Sequence, residues 1–139
     1  MTDTKLTAAQ IRRAQKALAD VPYARLLEIE LEDLASGSAT LRMRVRKVLT
    51  QNHGVVHGGA IASLIDSATA FAIITLLAPN EKVTTVDLAI SYLRPVTNGR
   101  LICTAKVLRS GRRLLVASAD VFDSAQTLVA TALSTYIRL

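Results

Sequence analysis

Tryptophan is absent from this 139-residue chain, and three Tyr and two Phe make up its whole aromatic content. That is too few for a platform on which nucleic-acid bases stack. The 17 Lys and Arg are spread along the chain and form no recognised DNA-binding pattern. No nucleic-acid partner is expected, and solvated surface accounts for most of the +6 formal charge. A single cysteine excludes an internal disulfide, and Cys103 lies in the apolar run Leu101 to Ala105, where it reads as a small core residue. The only histidines, His53 and His57, share one loop broken by Gly54 and have no evident third partner, so no metal site is expected. No Gly-x-Ser-x-Gly occurs, which removes the usual serine-hydrolase arrangement. The start, Met1 to Lys5, is polar and carries an acid, unlike a signal peptide, so a cytoplasmic location is the expectation. Ala60 to Ala78 comes near the length of a membrane span. Asp66 inside it and Ser63, Ser67, Thr69 and Thr75 along it point instead to a helix buried in a protein core, with no membrane partner.

What is present fits one domain, residues 1–139, with an N-terminal helix inside 1–21 and 50% hydrophobic residues to build a core. Thr7 can cap that helix, whose Ile11, Ala14 and Leu18 share a face, and Pro22 ends or restarts it. Leu27 to Glu32 and Ala39 to Arg46 alternate strictly around a turn at Ser36, Gly37 and Ser38. Pairing centred on Gly37 sets Glu28, Glu30 and Glu32 against Arg46, Arg44 and Arg42, with Ile29 against Val45 and Leu31 against Met43. After a long apolar helix that stops before Pro79 come four strand-like runs, near 82–93, 100–109, 114–122 and 127–138, which read as a meander. The class is α+β, an antiparallel sheet with one long helix on its concave face.

The most informative stretch is Gln51 to Asp66. Gly58 and Gly59 open the apolar helix, and Asp66 follows Gly58 by eight residues. A helix start offers unpaired N–H groups and a positive dipole end, suited to a carbonyl oxygen gaining charge. An acid among Ile61, Leu64, Ile65 and Phe71 is costly to desolvate and suggests a base or nucleophile. At the rise of an α-helix, the two groups stand about 12 Å apart along the axis, too far to act on one carbon. If they act together they belong to different copies of the helix, antiparallel across a two-fold axis, which makes a homodimer with two composite sites.

At these positions the chain resembles the hotdog-fold acyl-CoA thioesterases, most closely the phenylacetate-degradation (PaaI-type) branch, over about Pro22 to Leu139. In that family a Gln or Asn precedes the oxyanion glycine by seven, His-Gly-Gly opens the central helix, and an Asp or Glu follows by eight. Gln51, His57, Gly58 and Asp66 hold those places, with Asn52 a one-residue shift from the amide. The run Val83 to Pro95 is similar to the family's strand after the helix. Many relatives carry Ser or Thr one turn after the acid where this chain has Ala70; Thr85 matches a Ser or Thr used in some of them.

The resemblance implies a hotdog fold, an antiparallel sheet wrapped around one long central α-helix, and hydrolysis of an acyl- or aryl-CoA thioester to free acid and CoA. Gly58 would polarise the carbonyl. Asp66 would activate water or attack directly, and Gln51 would position water or substrate. His57 would either fix the loop or help polarise the carbonyl, and Gly59 would belong to the same helix start. Arg94, Arg112 and Arg113 are candidate contacts for CoA phosphates. No metal or redox cofactor is implied, and a tetramer built from two dimers is the expected assembly. A hotdog dehydratase and a non-catalytic acyl-CoA-binding module are the alternatives.

Overall fold

The computed structural model describes residues 5–139; Met1 to Thr4, which belong to the polar start read as unlike a signal peptide, lie outside the described residues. Thr7 caps α1 (Ala8–Asp20) reciprocally. Its hydroxyl accepts from the Gln10 N–H, and the Gln10 side chain accepts from the Thr7 N–H. Ala14 and Leu18 are buried on the inner face. Pro22, with its preset φ, restarts the chain as α2 (Pro22–Leu27), which Glu28 ends at φ +55. That left-handed residue is why the alternation around Leu27 does not become strand.

Strands β1 (Glu30–Ala35) and β2 (Ser38–Arg44) form a hairpin, but its register departs from the expected one by two residues. Glu30 pairs with Arg42 rather than Arg44, and Leu31 with Leu41 rather than Met43. One residue of the shift comes from a tight turn at Ser36 and Gly37, where Gly37 takes φ +73 and Ala35 pairs with Ser38. The second comes from a bulge between Leu31 and Asp33. Beyond the bulge the slip is two, which keeps Glu30 and Leu31 on their expected faces. The glutamates still meet arginines: Glu28 lies 2.7 Å from Arg46 and 3.6 Å from Arg44, and Glu30 lies 3.1 Å from Arg42.

The central helix α3 (Gly58–Ile74) is followed by β3 (Val83–Tyr92), β4 (Arg100–Ser110), β5 (Leu114–Phe122) and β6 (Leu128–Arg138). All pairings are antiparallel and the order is β1-β2-β4-β5-β6-β3. The expected four-strand meander is therefore corrected to three, because β3 lies on the far edge against β6. The link from β3 to β4 is too long for a hairpin and carries Pro95. It is tied down on the way, with Leu93 N–H donating to Val129 and Val56 N–H donating to the Val96 carbonyl.

The concave face is built for close approach. Ala39, Ala105, Ala117 and Ala119 lie between Leu41, Met43, Leu101, Cys103 and Leu115, all buried. Helix α3 crosses β2, β4 and β5 on that face, meeting it with Leu64, Ile65, Ala68 and Ala72. Each large aliphatic side chain buried here contributes about 1.5–3 kcal/mol. The outward stripe of α3, with Ser63, Asp66, Ser67, Ala70 and Ile74, stays half-open. Among the described residues no helix is long and apolar enough to cross a membrane.

Candidate active site

Helix α3 carries two clusters, one at each of the positions singled out by the spacing. At its start, His57 is the N-cap: its ring Nδ1 accepts the Gly59 N–H at 2.8 Å. This places the neutral ring's proton on Nε2 and spends the Gly59 donor, so the loop-fixing role of His57 is built in. The His57 carbonyl takes the Ala60 N–H at 2.9 Å. No acceptor among the described residues reaches the Gly58 N–H, which leaves it as the open donor of the helix start. Tyr92, at the end of β3, donates its hydroxyl to the Gly58 carbonyl at 3.0 Å and lays its ring against the glycine. Gln51, Gly58, Ile61, Tyr92 and Arg94 line one open groove of about 400 Å³. Asn52 is exposed in the short 3-10 turn Asn52–Gly54 and does not line this groove.

The second cluster forms midway along α3. Asp66 is half-buried rather than fully enclosed, and its partners are neutral hydroxyls. Thr85 of β3 donates to Oδ1 at 3.1 Å, and the Tyr136 hydroxyl of β6 lies 3.3 Å from the same oxygen and 3.1 Å from the Asp66 carbonyl. Burial raises the Tyr136 phenol above its ordinary value, with the Thr69 hydroxyl working against that rise and the Asp66 charge adding to it. Thr85 thus stands where Ala70 offers no polar group.

Within one chain the structure keeps Gly58 and Asp66 apart on one helix, as the spacing requires. Arg112 and Arg113 are exposed in the β4–β5 turn, away from the Gly58 groove. That turn is joined to the Asp66 end of the sheet, because the Arg113 carbonyl accepts the Arg138 N–H two residues beyond Tyr136. No group of His, Cys, Asp and Glu able to hold a metal ion is found among the described residues. Tyr92, Tyr136 and Thr69 were not anticipated. The available signal was weak: a Tyr buried on a strand, as Tyr136 is, needs a polar partner, but only the three-dimensional pairing names it.

Residues 53–130, more than half of the chain, match the family model described as Thioesterase superfamily. The chain belongs to the thioesterase superfamily. Within it, the chain is 29% identical over 132 residues to the medium/long-chain acyl-CoA thioesterase YigI of Escherichia coli, covering 84% of this chain and 85% of that one. It is 32% identical over 114 residues to acyl-coenzyme A thioesterase 13 of Mus musculus, covering 80% and 81%. The PaaI protein from the phenylacetic acid degradation operon of E. coli superposes with a TM-score of 0.86 at 24% identity, over 94% of this chain and 93% of that one, a likeness of fold. The sheet and central helix of this thioesterase-superfamily member are those of the hotdog fold.

Proposed function

We propose that the protein is an acyl-CoA thioesterase whose active site is assembled twice in a homodimer. The observation that carries the reading is the open Gly58 N–H at the start of the helix that also carries the hydroxyl-held Asp66 carboxylate about two turns on. The relatives named as acyl-CoA thioesterases support the substrate class. With two α3 helices antiparallel across a two-fold axis, Gly58 of one protomer faces Asp66 of the other. The half-open outward stripe of α3, lined by small residues, suits that close approach.

The Gly58 N–H polarises the thioester carbonyl and stabilises the oxyanion. In the general-base route, the Asp66 carboxylate takes a proton from water as the water oxygen bonds to the carbonyl carbon. The tetrahedral centre then collapses, the C–S bond breaks, and the CoA thiolate recovers the proton. In the nucleophilic route, a carboxylate oxygen bonds to the carbon and expels the thiolate, and water cleaves the anhydride. Single-turnover hydrolysis in 18O water separates the two, because only the second can leave 18O in Asp66. Gln51 positions water or substrate from the groove, and His57 directs Nε2–H outward from its cap. Arg94 of one protomer and Arg112 and Arg113 of the other border the composite site as contacts for CoA phosphates. A cytoplasmic tetramer of two dimers completes the proposal, and the chemistry needs no metal or redox cofactor.

The test is thiol release by the purified protein from a panel running from acetyl- to palmitoyl-CoA together with phenylacetyl- and benzoyl-CoA. Steady turnover of at least one is expected. Stoichiometric binding without release would make the protein an acyl-CoA sensor and refute the reading.

A further inference from the structure

Thr85 and Tyr136 are direct cross-strand partners, one on β3 and one on β6. Side chains so placed share a face and meet, and here both bring hydroxyls to Asp66 Oδ1. The β3 ladder is bulged between Thr85 and Asp87, immediately beside this pair, and bulges re-aim the side chains next to them. Tyr136 is 2% exposed, and behind its hydroxyl, at 2.8 Å, stands the Thr69 hydroxyl, on a residue that is 0% exposed. Among the described residues Oδ2 of Asp66 has no partner.

We propose that Tyr136 is a positioning residue for the hydrolysis: with Thr85 it clamps Oδ1 of Asp66 and presents Oδ2 as the working oxygen. This rests on the reading of Asp66 as the group that acts at the thioester. The clamp replaces a hydroxyl on the helix itself, which Ala70 cannot supply, with two from the sheet. Held by two sheet hydroxyls, the carboxylate plane is fixed before substrate arrives, and the orientation is not re-established at each turnover.

The variant Tyr136→Phe removes only the hydroxyl. Thr69 keeps the Ile65 carbonyl as acceptor at 3.1 Å, so no buried donor is orphaned and the fold is expected to hold. With the best acyl-CoA of the panel, kcat should fall about tenfold, the worth of a hydrogen bond to a charged group, with KM unchanged within about twofold. The same substitution placed on Asp66→Asn should cause no further loss, because its effect passes through the carboxylate. Equal loss in both backgrounds would mean a merely structural role and overturn the proposal, as would no loss in the wild-type background. An Asp66→Asn protein of full activity would instead refute the reading of Asp66. If Tyr136→Phe does not fold, Thr69→Val decides. A loss in kcat of about threefold that vanishes on Asp66→Asn supports the clamp, and no loss or a background-independent loss overturns it.

Discussion

Position 58 has no side chain for two reasons that act together. A Cβ there would lie 3.3 Å from the Tyr92 ring, and the bare backbone keeps the N–H open to the groove. Gln51 lines that groove while Asn52 does not, so Gln51→Ala should lower turnover about ten- to a hundredfold and Asn52→Ala should leave it near the wild-type rate. The reverse order of the two variants would move the active-site amide to Asn52. Cys103, fully buried in β4, has its thiol pushed up to about 12 from 9.0, mainly by burial. The folded chain therefore keeps a proton that the unfolded chain has already lost above pH 9. Stability from this group is intact below that pH and falls as pH rises towards 12, by about 1.4 kcal/mol per unit. Between pH 8 and pH 10, denaturant melts should show the wild type losing about 1.4 kcal/mol more stability than Cys103→Ala. The residues of the Gln51–Asp66 stretch stand out as candidates in the sequence because the signal is local spacing along one segment. Tyr136 and Tyr92 do not, since their partners Asp66 and Gly58 are brought near only by the pairing of distant elements.

At the level of elements, the seat of α3 depends on small side chains on both sides of the contact. Ala68 is completely buried where the helix meets the sheet. Ala68→Leu should destabilise the fold by about 1–3 kcal/mol through overpacking, read as a lowered midpoint in urea at unchanged m. The N-terminal cap at Thr7, the stop before Pro79 and four strand positions after it followed from capping chemistry and period-two patterning. Two features did not. The β1–β2 register slipped because a tight turn and a bulge each absorb a residue, and alternation is blind to a shift of two. The place of β3 beside β6 was hidden because patterning defines strands but not their neighbours.

At the scale of the whole molecule, Gly58 and Asp66 are fixed about 12 Å apart by one rigid helix, so no single chain can bring both to one carbonyl carbon. Light scattering on active protein should therefore report a dimer or a multiple of it, and an active monomer would break the account. The most direct measurement is complementation between two dead chains. Asp66→Asn should retain fold and dimer and lose at least about a hundredfold in turnover. Gly58→Val should be comparably inactive, its added methyls closing the oxyanion donor against Tyr92. After subunit exchange verified by mass spectrometry, each mixed dimer should hold one intact site, made from Gly58 of the first chain and Asp66 of the second. Activity should return to about a quarter of wild type, since half the dimers are mixed and each has one working site of two. Proven exchange between folded variants with no recovered activity would contradict a site shared across the interface.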